Sequence, residues 1–198
     1  MTARGRGRSR RLAASLCLTL GLGFAGCSGG ESSPSTPCLP ASFTPAIATV
    51  APGDVFLGEQ ASTCNSVVVS VLINNLTGIF TVGFDVTFPA GVLSYDSYTA
   101  GPLLKKGPPA TNPVFLVTNS APGVIQVTAT RFGGDPSVAA VGTETLMTLT
   151  FSKIASGTGS IDFDDSGASL VDEVVLDETG TSRPASFQPD HGGIFIVP

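Results

Sequence analysis

The chain has 198 residues, among them 24 Gly, 15 Pro, one His and no Trp, and 13% of its residues are charged. That is the length of one ordinary domain, and Gly plus Pro at about one position in five beside 42% hydrophobic residues exclude a helical bundle, a coiled coil and a disordered tail in favour of a β-rich globular domain. The net charge of −5 is unevenly placed: Arg4, Arg6, Arg8, Arg10 and Arg11 are five of the ten basic residues, and the rest of the chain, with 15 acidic and five basic residues, carries −10, which repels phosphate backbones and excludes nucleic acid as a partner.

In chain order the first element, 1–26, reads as an export signal: a basic head, then the apolar run 12–24 (LAASLCLTLGLGF), then Ala25-Gly26-Cys27. Thirteen apolar or small residues suit a signal-peptide core and are too few for a permanent span. Small residues ahead of a cysteine resemble the bacterial lipoprotein lipobox, with Phe24 where Leu is usual. The resemblance implies cleavage before Cys27 and acylation of its thiol, hence an extracytoplasmic protein held on a bacterial membrane, at the cell surface or in the periplasm, since each buried CH₂ contributes ~0.8 kcal/mol. An ordinary signal peptide with Cys27 incidental is the alternative. Segment 27–45, rich in Ser, Pro, Gly and Thr, is expected to be a tether.

Of the four cysteines, Cys17 leaves with the signal and Cys27 takes the lipid. In an oxidising compartment Cys38 and Cys64 are then expected to form a disulfide. Two free thiols are the alternative. A metal site has no support, because neither cysteine has a second Cys or a His at ligand spacing.

The remainder, 46–198, shows two-residue alternation broken by turns. Strands are predicted near 46–50 and over 66–73, 80–88, 92–98, 114–118, 124–130, 145–151, 160–163 and 194–197. In 80–88, Phe80, Val82, Phe84, Val86 and Phe88 fall on one side, with Thr81, Gly83, Asp85 and Thr87 on the other. Breakers such as Pro89-Ala90-Gly91, Gly107-Pro108-Pro109, Ala121-Pro122-Gly123 and Gly133-Gly134-Asp135-Pro136 separate the runs, and no capped helical period appears. Eight or nine such strands indicate an all-β, antiparallel two-sheet sandwich.

The stretches Asn74-Asn75-Leu76-Thr77-Gly78 and Gly83-Phe84-Asp85-Val86-Thr87-Phe88-Pro89-Ala90-Gly91-Val92-Leu93 resemble the second to fourth strands of a cohesin module. Gly123-Val124-Ile125-Gln126-Val127-Thr128-Ala129, the run 142–151 (GTETLMTLTF) and Ser169-Leu170-Val171-Asp172 are similar to that family's later strands, in the same order. The resemblance implies a flattened jelly roll, shared with a group of cellulose-binding modules, in which one sheet face binds a protein partner, a dockerin in the family. Carried over, that face would comprise Thr81, Gly83, Asp85, Gln126, Thr128 and Thr130. Thr81 and Gly83 stand where the family's dockerin binders carry Asn and Asp. The plain alternative is a solvated sheet face.

A polysaccharide partner is the other binding class. Flat glycans are held on exposed aromatic rings, and here Tyr95 and Tyr98 are the only tyrosines, their odd spacing setting them on opposite faces. That leaves a small glycan site of loop hydrogen bonds with one tyrosine. A structural lipoprotein without a specific ligand is the remote alternative. The stretch Asp162-Phe163-Asp164-Asp165-Ser166-Gly167 with Glu173 matches a calcium loop at Asp162, Asp164, Ser166 and Glu173. Neither an entering nor an exiting helix accompanies it, so a polar turn is the preferred reading and no cofactor is required. Catalysis finds no constellation: His191, in Pro189-Asp190-His191-Gly192-Gly193, has Asp190 beside it in sequence and no nucleophile elbow. Lys105 and Lys106 read as a solvated loop tip.

Overall fold

A computed structural model of the protein describes residues 37–107, 112–164 and 173–198. Eleven strands run through them: β1 (Ser42–Pro45), β2 (Val55–Glu59), β3 (Ser66–Asn74), β4 (Thr81–Thr87), β5 (Leu93–Ala100), β6 (Val114–Ala121), β7 (Val124–Thr130), β8 (Thr143–Lys153), β9 (Gly157–Phe163), β10 (Val174–Leu176) and β11 (Gly193–Val197). Single 3₁₀ turns stand at Leu103–Lys105 and Pro189–His191. One sheet has the order β1-β11-β9-β4-β7-β6, with β10 also on β4, and the other is β2-β3-β8-β5; every pairing is antiparallel. The fold is the expected all-β sandwich.

Alternation builds the core. On β3, Val67, Val69, Val71 and Ile73 are fully buried beside Leu149 and Phe151 of β8 in the same sheet, and across the interior the other sheet supplies Val82, Phe84 and Val86 of β4 and Ile125 and Val127 of β7. Each such side chain contributes about 1.5–3 kcal/mol on burial. Phe84, Phe163 and Phe187 form a cluster with ring centroids 5.4 to 6.0 Å apart, two of the three contacts edge to face. A bulge after Val71 places both Leu146 and Met147 in the core, where strict alternation would expose one of them.

The expected strand near 46–50 is replaced by two others. Phe43, not Ile47 or Val50, is the side chain the core takes, so pairing with β11 occurs at Ser42–Pro45, within the stretch read as tether. The chain then turns through Gly53, whose φ of 92° suits glycine and where a Cβ would stand 2.7 Å from the Pro184 carbonyl oxygen, before β2 begins. β10, three residues long, shares one edge of β4 with β9: Val86 and Thr87 pair with β9, while Thr81, Val82 and Gly83 pair with β10.

The cysteine pairing is as expected. Cys38 and Cys64 form a disulfide with Cα atoms 5.8 Å apart, fastening the residues before β1 to those before β3. Cys27 and the export signal lie outside the described residues, as does most of the tether.

Candidate functional site

The register of β4, β7 and β6 turns the expected binding residues into a grid. Thr81, Thr130 and Val114 form one rung, Gly83, Thr128 and Leu116 the next, and Asp85, Gln126 and Thr118 the third. The intervening residues Val82, Phe84, Val127 and Ala129 are fully buried, so the grid is the outer face of the seven-stranded sheet. All six residues taken from the sequence come together on it.

Their environments differ from a uniformly solvated surface. Thr81, Gln126, Thr128 and Thr130 are half-buried, and the Thr81 and Thr130 hydroxyls lie 2.7 Å apart in a hydrogen bond. Asp85 is only 2% exposed, where the sequence places it in solvent. It lies where β4 passes from its β10 pairing to its β9 pairing, with strands on both sides, so its short side chain is shielded. Gln126 Nε2 donates to Asp85 Oδ2 at 3.4 Å.

Three residues of the face, Val114, Leu116 and Thr118, are not identified from sequence. Leu116 is 62% exposed and Val114 is also exposed, both on the edge strand β6 and in register with Thr128 and Thr130. Their two-residue spacing was visible in the sequence. Which side faced the core was not, because 114–118 (VFLVT) is apolar on both sides. The grid thus joins a hydroxyl-rich strip to an aliphatic margin, with no Lys or Arg at any of its nine positions. Such a surface matches a partner through apolar contact and short hydrogen bonds rather than ion pairs.

The tyrosines occupy other places. A bulge in β5 leaves Asp96 without a cross-strand partner, so Tyr95 pairs with Phe151 and Tyr98 with Leu149, and the odd spacing no longer separates the rings onto opposite faces. Tyr95 packs edge-on against Phe151; burial first, then the charges of Tyr98 and Asp96, push its hydroxyl above the usual range. Tyr98 stacks on Phe115 and donates its hydroxyl to the Phe115 carbonyl oxygen at 3.1 Å. It thereby ties the edge of one sheet to the edge of the other, and its ring is already engaged.

Asp162 lies on β9 opposite Thr87, the Asp164 backbone N–H donates to the Asp85 carbonyl oxygen, and Glu173 precedes β10; Ser166 lies outside the described residues. Among the described residues no three His, Cys, Asp or Glu side chains gather to hold a metal ion. His191 is buried, its Nδ1 3.0 Å from the Val55 carbonyl oxygen and its Nε2 3.9 Å from Asp54 and 4.0 Å from Asp190, so it fastens the 3₁₀ turn to β2. Lys106 is not a free loop tip: it pairs with Glu144 and donates to the Ala139 carbonyl oxygen. Burial would raise Glu144, but the Lys106 hydrogen bond, the Val141 N–H and the Lys106 charge together hold its carboxyl below the usual range.

No protein-family model and no curated protein matches the chain. Solved structures do. The sixth cohesin of scaffoldin B from Acetivibrio cellulolyticus, solved with a Cel5 dockerin, is 21% identical at a TM-score of 0.52, over 70% of this chain and 94% of that one. A type II cohesin domain from the cellulosome of the same organism gives 16% identity and a TM-score of 0.55, covering 75% and 96%. A type I cohesin–dockerin complex from Clostridium thermocellum gives 14% identity and 0.50, covering 67% and 92%. These likenesses show that the fold is a cohesin-like sandwich.

Proposed function

We propose that the protein is a non-catalytic association module which binds a protein partner through the outer face of β4, β7 and β6, and which is held outside the cytoplasm by lipid on Cys27. The observation that carries the reading is the grid itself: Thr81, Thr128, Thr130 and Gln126 beside exposed Leu116 and Val114, on a face without basic residues. Two of the similar cohesins described above were solved with dockerins, which makes a dockerin-like module the first partner to try. Thr81 and Gly83 in place of Asn and Asp mean that such a partner must be met by hydroxyl and aliphatic contacts.

The test compares the parent chain with Leu116→Lys and Thr128→Arg as baits against dockerins and surface extract, with Val141→Lys as the control, since Val141 is exposed in the loop before β8. A partner held by the parent and by Val141→Lys should bind each face variant at least tenfold more weakly, a loss of about 1.4 kcal/mol. Equal binding by all four chains would move the site elsewhere.

A further inference from the structure

One end of the sandwich is almost free of charge and carries exposed aliphatic side chains, and the chain enters the domain at that end. Cys38 is bonded there to Cys64. The Ala41 N–H donates to the Thr63 carbonyl oxygen, and the Lys153 N–H to that of Asn65. Lys153 Nζ and Ser156 Oγ both donate to the Pro198 carbonyl oxygen, which fixes the turn between β8 and β9 beside the end of β11. Near this end Leu39 is 70% exposed, Ile154 58% and Ile196 51%. Ile196, opposite Ser42 and Thr158, faces outward.

Charge is arranged in the opposite sense. The charged side chains near this end, among the described residues, are Lys153 and Glu59. Asp54, Asp135, Glu144, Asp177 and Asp190 stand at the other end, with Lys105, Lys106, Arg131 and Arg183, while Asp85, Asp96, Asp162 and Asp164 lie partway along the strands. Approach to lipid strips water from whatever comes near, which is unfavourable for a charge and favours an aliphatic side chain. Among the described residues the chain-entry end meets that condition, whereas exposed Val141 and Phe132 at the other end stand among charges.

From these two observations we infer that the chain-entry end is a membrane-contact surface, with Leu39, Ile154 and Ile196 entering the lipid interface and the acidic end directed away. The inference rests on the acylation of Cys27 proposed above. The nine residues between Cys27 and Pro37 can span at most roughly 35 Å. A bilayer holding Cys27 is therefore the surface within reach of this end. In this orientation the grid on β4, β7 and β6 faces sideways, open to a partner.

The full chain, recovered from bacterial membranes and reconstituted into phosphatidylcholine vesicles bearing nitroxide-labelled acyl chains, supplies the test. A fluorophore is placed on Ile154→Cys, on Ile196→Cys or, at the far end, on Val141→Cys. The labels at 154 and 196 should be quenched about twofold or more beyond the label at 141, with blue-shifted emission. A chain that floats with the vesicles while all three labels are quenched alike overturns the orientation and leaves the lipid reading intact. Failure to float removes the lipid anchor, and the orientation with it.

Discussion

Arg131 shows what a single side chain does in this sandwich. It follows the last residue of β7, alternation turns it inward, and its side chain is almost wholly buried. Nη1 donates to the carbonyl oxygens of Leu104 and Lys106, and Nη2 lies 3.6 Å from Asp135. One guanidinium thus fastens the 3₁₀ turn after β5 to the loop after β7. Removing one member of a buried pair leaves the other charge desolvated, so Arg131→Met should lower unfolding stability by about 3 kcal/mol in urea titration. A loss below about 1 kcal/mol would mean that the carbonyls and Asp135 find other partners. At this scale the sequence was legible only in part. The six grid residues follow from alternation, but the burial of Asp85 depends on β10 and β9 sharing one edge of β4, a long-range pairing with no local signature. The face of Tyr98 is hidden from the sequence for a similar reason, since a bulge at Asp96 shifts the face of every residue after it.

Single elements behave the same way. Runs with strict alternation, such as β4 and β7, were placed within a residue or two, because one apolar side and one polar side leave a single register that buries the former. β1, β2 and β10 are not legible in the sequence: they have three to five residues each and are specified by their partners rather than by their own pattern. β1 is the most dependent of these, with four residues at a sheet edge. The disulfide compensates for its shortness by closing the loop of sequence separation 26 that contains β1 and β2. The chain-entropy effect of such a loop is about 3 kcal/mol. Cys38→Ser with Cys64→Ser should therefore lower the stability of the domain by roughly that amount in guanidinium titration, and a reductant should do the same to the parent chain and nothing to the variant. An unchanged midpoint in reductant would show that β1 holds without the bridge.

At the scale of the whole molecule the two ends of the described chain close the fold on each other. β1 pairs with β11 across some 150 residues, so the seven-stranded sheet is complete only when the last strand has met the first. Phe43 is the anchor, 1% exposed, and its ring lies against Gly193. A Cβ at 193 would collide with that ring and with the Thr44 carbonyl oxygen, while one at 192 would collide with Asp162 and the Ile161 carbonyl oxygen. Gly192-Gly193 is therefore the smooth seat on which β1 and β9 close, a role visible only when strands distant in sequence are brought together. Two substitutions on opposite sides of this contact should then have the same effect. Phe43→Ala leaves a cavity and should cost about 3–5 kcal/mol. Gly193→Ala should displace β1 by overpacking and cost about 1–3 kcal/mol. Because both act on one contact, the double variant should lose clearly less than the sum of the two. Additive losses in denaturant titration would mean that Gly193 serves β11 alone and that the terminal strands are not one cooperative unit.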